Sequence, residues 1–129
     1  MGAWGPGNFE NDTVLDWLAD VDSWQSVVDA LFAILRTPAD RVLDASSCCV
    51  ALGAAEIVAA CLGRPGRLPQ RAVEVVAAVR QECDESARDA AARCVRRIEK
   101  ESELQSLFDE GGRYEKWHSV LEELVARLS

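Results

Sequence analysis

The organisation of this chain follows from one apolar stretch, ASSCCVALGAAEIVAACLG, which occupies residues 45–63. A helix formed here is apolar on all of its faces, which is typical of a helix surrounded by others. The stretch also contains two serines, a glycine and the charged Glu56, and many of its apolar residues are only alanine. These features favour a buried helix of a soluble protein over a membrane span. We therefore predict a central helix near residues 45–62, whose small side chains let neighbouring helices approach closely.

The composition is that of one folded domain covering residues 1–129. Apolar residues make up 49% and charged residues 28%, which argues against intrinsic disorder. Alanine is abundant while glycine (8) and proline (4) are few, which favours helix over sheet. The net charge of −8 argues against a general nucleic-acid binder, because such proteins carry a basic surface. It suits a protein partner with a basic surface, or it only keeps the protein soluble by self-repulsion.

Cysteine usage indicates a reducing compartment. The five cysteines are Cys48, Cys49, Cys61, Cys83 and Cys94. Their number is odd, no two are spaced as Cys-x-x-Cys, and all five occupy core positions of predicted helices. Residues 1–13 lack the basic start and apolar run of a secretory signal. We expect free thiols in a cytoplasmic protein that does not bind membranes.

An irregular arm is expected before the first helix. Residues 1–11 contain three glycines and one proline, which exclude regular structure. Two large aromatic residues, Trp4 and Phe9, lie in this segment, and each can bury a large apolar area. We expect the arm to fold back so that one of them packs against the helices.

Capping residues and helical periodicity then predict six or seven helices. Asn11 or Asp12 is expected to cap the first, Asp84 the fifth, and Ser102 a short sixth. Thr37-Pro38 resembles the start of the third, with a break near Asp44. A fourth helix is expected over about 70–83, and the last has the clearest apolar period. The inward residues of the fourth helix are predicted to be Val73, Val76, Ala77 and Val79. The prediction is a compact all-α bundle without strands.

Several short motifs resemble a bacterial family catalogued as domain of unknown function 4259. They are Met1-Gly2-Ala3-Trp4-Gly5, Phe9-Glu10-Asn11-Asp12, Leu15-Asp16-Trp17, residues 54–60, Leu68-Pro69, Ser102-Glu103-Leu104 and Trp117. The resemblance covers essentially the whole chain, and Phe108 stands where members often carry tryptophan. It implies a small bacterial helical protein and supplies no activity, cofactor or catalytic residue.

Glu56 is the most informative single residue because it is the only charged group between Asp44 and Arg64. A buried carboxylate is costly unless it is paired or hydrogen-bonded. One interpretation is a structural tie to backbone N–H groups, a tryptophan N–H or an arginine, with the N-terminal arm as a natural partner. The other is the carboxylate of a ligand pocket. Such a pocket would have aromatic walls from Trp4, Trp17 or Trp117, with His118 a further candidate.

No catalytic residue, metal site or cofactor is predicted. His118 is the only histidine and is expected at the edge of the last helix. Neither His-x-x-x-His nor Cys-x-x-Cys spacing occurs, so we predict no zinc site. The fifth helix carries a basic row, which is interleaved with acids and lacks aromatic residues: Arg88, Arg93, Arg96, Arg97 and Lys100. This pattern argues against phosphate or nucleic-acid binding.

Asp12, Asp16 and Asp20 form an acidic row at i, i+4 and i+8 of the first helix. The row is either a solvated helix face or a surface for a basic partner. Two functions stay open. The first is a non-enzymatic protein-interaction module of the antidote, immunity or adaptor type. The second is a small-molecule-binding protein or enzyme with a pocket around Glu56. A Glu56 paired only with protein groups favours the first, and an open pocket at Glu56 favours the second.

Overall fold

The fold is described by a computed structural model that covers residues 5–129. These residues form seven α-helices and one 3-10 turn, and no strand occurs among them. The helices are α1 (Asp12–Asp20), α2 (Trp24–Leu35), α3 (Ala45–Cys61), α4 (Gln70–Val79), α5 (Glu85–Lys100), α6 (Glu103–Glu110) and α7 (Tyr114–Arg127), and the 3-10 turn Arg80–Glu82 follows α4. The prediction of a compact all-α bundle is confirmed.

Helix α3 lies at the centre of the domain. Every residue from 51 to 60 is buried, and α3 contacts each of the other α-helices. Full burial of one large aliphatic side chain contributes about 1.5–3 kcal/mol, so a helix that is apolar all round is most stable where neighbours cover every face. Within residues 5–129, no helix is both long and apolar enough to cross a bilayer.

The helix N-termini are closed by residues close in sequence. Asn11, Asp84 and Ser102 each accept a hydrogen bond from the backbone N–H three residues further on, at 2.8, 2.9 and 3.0 Å. Each bond satisfies an N–H that has no partner inside the helix. The predicted caps of α5 and α6 are confirmed, and Asn11 is the cap of α1.

Arginines from distant helices close two C-termini. Arg71 of α4 donates to two carbonyl oxygens at the end of α1, at 3.2 and 2.5 Å. Arg97 of α5 donates to the carbonyl oxygens of Ile34 and Pro38, at 2.6 and 3.0 Å. Carbonyls in the last turn of a helix lack intrahelical donors, and a guanidinium supplies them together with a favourable charge. Arg97, which belongs to the basic row on α5, therefore binds carbonyl oxygens at and just after the end of α2.

Helix α1 packs closely against α3 because residue 53 is glycine. A Cβ at Gly53 would overlap the Cγ2 methyl of Val14 and would lie 3.6 Å from ring atoms of Phe9 and Trp17. The arm preceding α1 is irregular, and the half-buried Phe9 packs against the core. Trp4, the other aromatic residue of the arm, lies outside the described residues.

Three details of the sequence prediction are wrong. No helix starts at Thr37, whose hydroxyl instead donates to the Ala33 carbonyl oxygen at 2.7 Å, and α3 begins only at Ala45. The inner face of α4 is Ala72, Val75, Val76 and Val79, whereas Val73 is 46% exposed and Ala77 is also exposed. Cys61 and Cys83 are half-buried and not in the core, because they lie at the ends of α3 and the 3-10 turn.

Candidate functional site

Glu56 is buried among three segments that are far apart in the chain. It lies on α3, is 5% exposed, and faces the N-terminal arm and the end of α7. Asn8 Nδ2 donates to Glu56 Oε2 at 2.8 Å. Arg127 forms a bidentate pair, with Nη1 donating to Oε1 at 2.9 Å and Nη2 donating to Oε2 at 3.0 Å. Both carboxylate oxygens therefore have protein partners.

Arg127 links this carboxylate to the surface. Its side chain is 14% exposed, and Nε donates at 2.6 Å to Oε2 of Glu123, whose side chain is 60% exposed. Burial lowers the pKa of Arg127, but the hydrogen bonds that it donates to Glu56 and Glu123 outweigh burial and raise the pKa above its ordinary value. The guanidinium remains charged, so Glu56 faces a permanent cation.

A surface cleft of about 440 Å³ adjoins the pair. Its lining includes Phe9, Glu10, Glu56, Arg67, Glu123 and Arg127. The volume lies within the range of small-molecule sites, but half of the lining residues are charged, whereas such sites carry only a few polar groups. Of the aromatic walls proposed from the sequence, Trp17 and Trp117 do not line this cleft, and Trp4 lies outside the described residues.

Trp117 and Trp17 pack elsewhere. Trp117 is 1% exposed and stacks on Phe108, with ring centroids 5.4 Å apart and planes inclined by 13°. Trp17 is half-buried against α3, near Gly53. Both contribute to the core through area and ring contacts.

His118 lies at the seam between α5 and α7, away from Glu56. Its Nδ1 is 3.0 Å from Glu99 Oε2, and its Nε2 is 3.8 Å from Glu122 Oε1. Tyr114 stacks on the imidazole with centroids 5.6 Å apart. Burial raises the pKa of Glu99, and the neighbouring Glu122 raises it further against the opposing effect of His118.

Neither carboxylate at His118 was singled out from the sequence. His118 and Glu122 are four residues apart on one helix, so the sequence could have predicted that these two side chains are neighbours. Glu99 lies on a different helix, and nothing in its local sequence points towards His118.

The acidic row is fully on the surface. Asp12, Asp16 and Asp20 are exposed, while the opposite face of α1 buries Val14 and Leu18. None of the ion pairs formed among residues 5–129 involves a member of the row.

The cysteine thiols are protonated at neutral pH. Burial raises the pKa of Cys48, Cys61 and Cys94 to about 12 and that of Cys49 to about 11. The pKa of Cys83 is also raised, again chiefly by burial. A reactive cysteine has a lowered pKa, so none of these five thiols has the character of a nucleophile.

These features define a small helical protein with a buried ion pair beside a surface cleft and a histidine–carboxylate cluster between α5 and α7. The chain belongs to the family described as Domain of unknown function (DUF4259), whose model matches residues 2–120. No curated protein and no solved structure matches the chain.

Proposed function

We propose that this protein is a non-enzymatic protein-interaction module of the antidote, immunity or adaptor type, which binds a basic surface of its partner in the cytoplasm. The observation that carries the proposal is the pairing of Glu56. Within residues 5–129 it accepts three hydrogen bonds, two of them from the guanidinium of Arg127 and one from Asn8. A carboxylate held in this way ties the arm and α7 to the central helix through charge-assisted hydrogen bonds.

The acidic row on α1 supports the choice of partner. Asp12, Asp16 and Asp20 span about 12 Å along the helix, at 1.5 Å per residue. Like charges four residues apart destabilise a helix slightly, and no cation of residues 5–129 pairs with them. A partner with basic side chains at matching spacing would remove this repulsion and accelerate association.

The test compares two triple variants that change the net charge equally. Asp12→Asn/Asp16→Asn/Asp20→Asn removes the row, and Asp109→Asn/Glu110→Gln/Glu115→Gln removes three exposed acids of α6 and α7. Tagged wild type and both variants capture proteins from cells that naturally express the gene. Each candidate partner is then purified and titrated calorimetrically at low and high salt.

The proposal requires one partner whose affinity falls at least about tenfold in the row variant, with a smaller salt dependence, while the α6–α7 variant binds like wild type. Equal loss in both variants would show that only the net charge matters. Equal binding by all three proteins would place the interface elsewhere. Either result overturns the proposed surface.

The cleft beside Glu56 favours a second candidate, a small-molecule-binding protein or enzyme. Its volume of about 440 Å³ and the exposed Arg67 on its rim would suit a small anionic compound. Arg67→Gln changes the rim and leaves the Glu56–Arg127 pair intact. A carboxylate or phosphate compound that raises the melting temperature of wild type but not of Arg67→Gln would support this candidate. The absence of any such compound from a library of anionic metabolites would count against it.

A further inference from the structure

We propose that Glu99, His118 and Glu122 form a binding site for a divalent cation of the zinc type. The site lies on the seam between α5 and α7, is separate from the Glu56 cleft, and does not depend on the proposed interaction function. One ligand atom from each of the three residues lies within 4.8 Å of the other two. The side chains come from both helices, so a bound cation would cross-link them.

The spacing of the ligand atoms suits a small cation. Zinc with ligands at 2.0–2.1 Å in a tetrahedral arrangement holds neighbouring ligand atoms about 3.3 Å apart. His118 Nδ1 and Glu99 Oε2 are already 3.0 Å apart. Glu122 is one helical turn beyond His118, and its Oε1 lies 3.8 Å from Nε2, the other ring nitrogen. Its side chain is 56% exposed, so it is free to rotate towards a cation bound at Nδ1.

The pairing of His118 with Glu99 is incomplete without a cation. The two atoms are 3.0 Å apart, at ion-pair distance, yet they form no hydrogen bond with each other. Both atoms are shielded from solvent, and neither has a hydrogen-bond partner in the part of the chain that the structure describes. Buried polar atoms are nearly always paired. A cation between the imidazole nitrogen and the carboxylate oxygen would satisfy both lone pairs.

The chemistry of the donors selects the class of cation. Two carboxylates balance the charge of a divalent ion, and an imidazole nitrogen favours zinc and its transition-metal neighbours over magnesium or calcium. Tyr114 stacks on the ring and limits its orientation. Arg96 is a nearby cation that acts on Glu99.

The experiment exploits the fact that the chain has one histidine. Zn²⁺ is titrated into reduced, metal-free protein, and calorimetry is combined with ¹⁵N NMR of the His118 imidazole. Glu99→Gln and Glu122→Gln each remove one ligand. Glu115→Gln is the matched control, because Glu115 is an exposed acid on α7 outside the cluster. Circular dichroism confirms that each variant is folded.

We expect one equivalent of Zn²⁺ to bind and to shift one imidazole nitrogen strongly. Loss of either carboxylate should weaken binding at least about tenfold, as loss of metal-site groups does, while Glu115→Gln binds like wild type. Cysteine thiolates bound to Co²⁺ give a charge-transfer absorption, and Cys61 and Cys83 are the two cysteines that are not fully buried. We therefore expect the Co²⁺ complex to show visible bands without that absorption, which excludes these cysteines as ligands. Unchanged imidazole resonances, full affinity in Glu99→Gln and Glu122→Gln, or thiolate absorption with Co²⁺ would each overturn the site.

Discussion

Replacing Glu56 tests the buried ion pair most directly. In Glu56→Ala, Arg127 and Asn8 lose three hydrogen bonds of 2.8–3.0 Å. Removing one partner of a buried ion pair costs about 3–5 kcal/mol. Arg127 keeps its bond to Glu123 and is 14% exposed, so the cost falls at the lower end of that range. We expect Glu56→Ala to lower the free energy of unfolding by about 3 kcal/mol.

Glu56→Gln separates charge from shape. The amide keeps one acceptor oxygen for Asn8 but loses the charge that faces Arg127, so we expect a loss of about 2 kcal/mol. Glu123→Gln is the matched control, because Glu123 binds the same guanidinium from the surface, at 2.6 Å. An exposed pair of this kind contributes about 0.2–1 kcal/mol.

A double-mutant cycle that combines Glu56→Gln with Arg127→Met measures the coupling free energy between the two side chains. The single variant Arg127→Met leaves the Glu56 carboxylate buried with only Asn8 as a partner, whereas Glu56→Gln/Arg127→Met leaves no buried charge. The double variant should therefore be more stable than the sum of the single losses predicts, by about 2 kcal/mol. Urea unfolding followed by tryptophan fluorescence and circular dichroism gives each free energy.

A Glu56→Gln protein as stable as Glu123→Gln would contradict the buried ion pair. So would a double variant whose loss of stability equals the sum of the losses in Glu56→Gln and Arg127→Met. A Glu56→Gln protein that keeps its stability but binds an anionic compound with changed affinity would instead support the cleft as a ligand site.

Two further stability predictions follow from the packing and capping of α3. Gly53→Ala should lower the free energy of unfolding by about 1–2 kcal/mol, because overlap with Val14 outweighs the gain of about 1 kcal/mol in helix propensity. Urea unfolding should show that adding Val14→Ala to this variant recovers part of the lost stability. A Gly53→Ala protein more stable than wild type would contradict the close approach of α1 to α3. Asp44→Ala should cost about 1 kcal/mol at neutral pH, because Asp44 Oδ2 accepts from the N–H of Ser47 at 2.9 Å. That hydrogen bond lowers the pKa of Asp44 below 3.8, so the stabilisation is present above this pH and is lost as the pH falls through the lowered folded pKa. The difference between wild type and Asp44→Ala should shrink in acid, whereas a difference that stays constant to the lowest pH would refute the role of the charge.

Much of the fold was determined by the sequence itself. A helix that is apolar on every face has to be surrounded, so the central position of α3 was predictable from residues 45–62 alone. The caps Asp84 and Ser102 were equally local, because a side-chain oxygen at the N-cap reaches only N–H groups two or three residues away. The presence of a carboxylate in the core at Glu56, and its need for partners, also followed from sequence.

Tertiary contacts decided the rest. Thr37-Pro38 has the residues typical of a helix start, but it lies just after the end of α2 at Leu35. Arg97 from α5 donates to the carbonyl oxygens of Ile34 and Pro38 on either side of it. In α4 the valines occupy more than one face, so packing against α3 and not periodicity selected which of them are buried. Glu56 is 48 residues from Asn8 and 71 from Arg127, and Glu99 comes to His118 from another helix. Local periodicity specifies which face of a helix is buried but not which helix packs against it, so the partners of Glu56 and His118 depended on how the helices assemble.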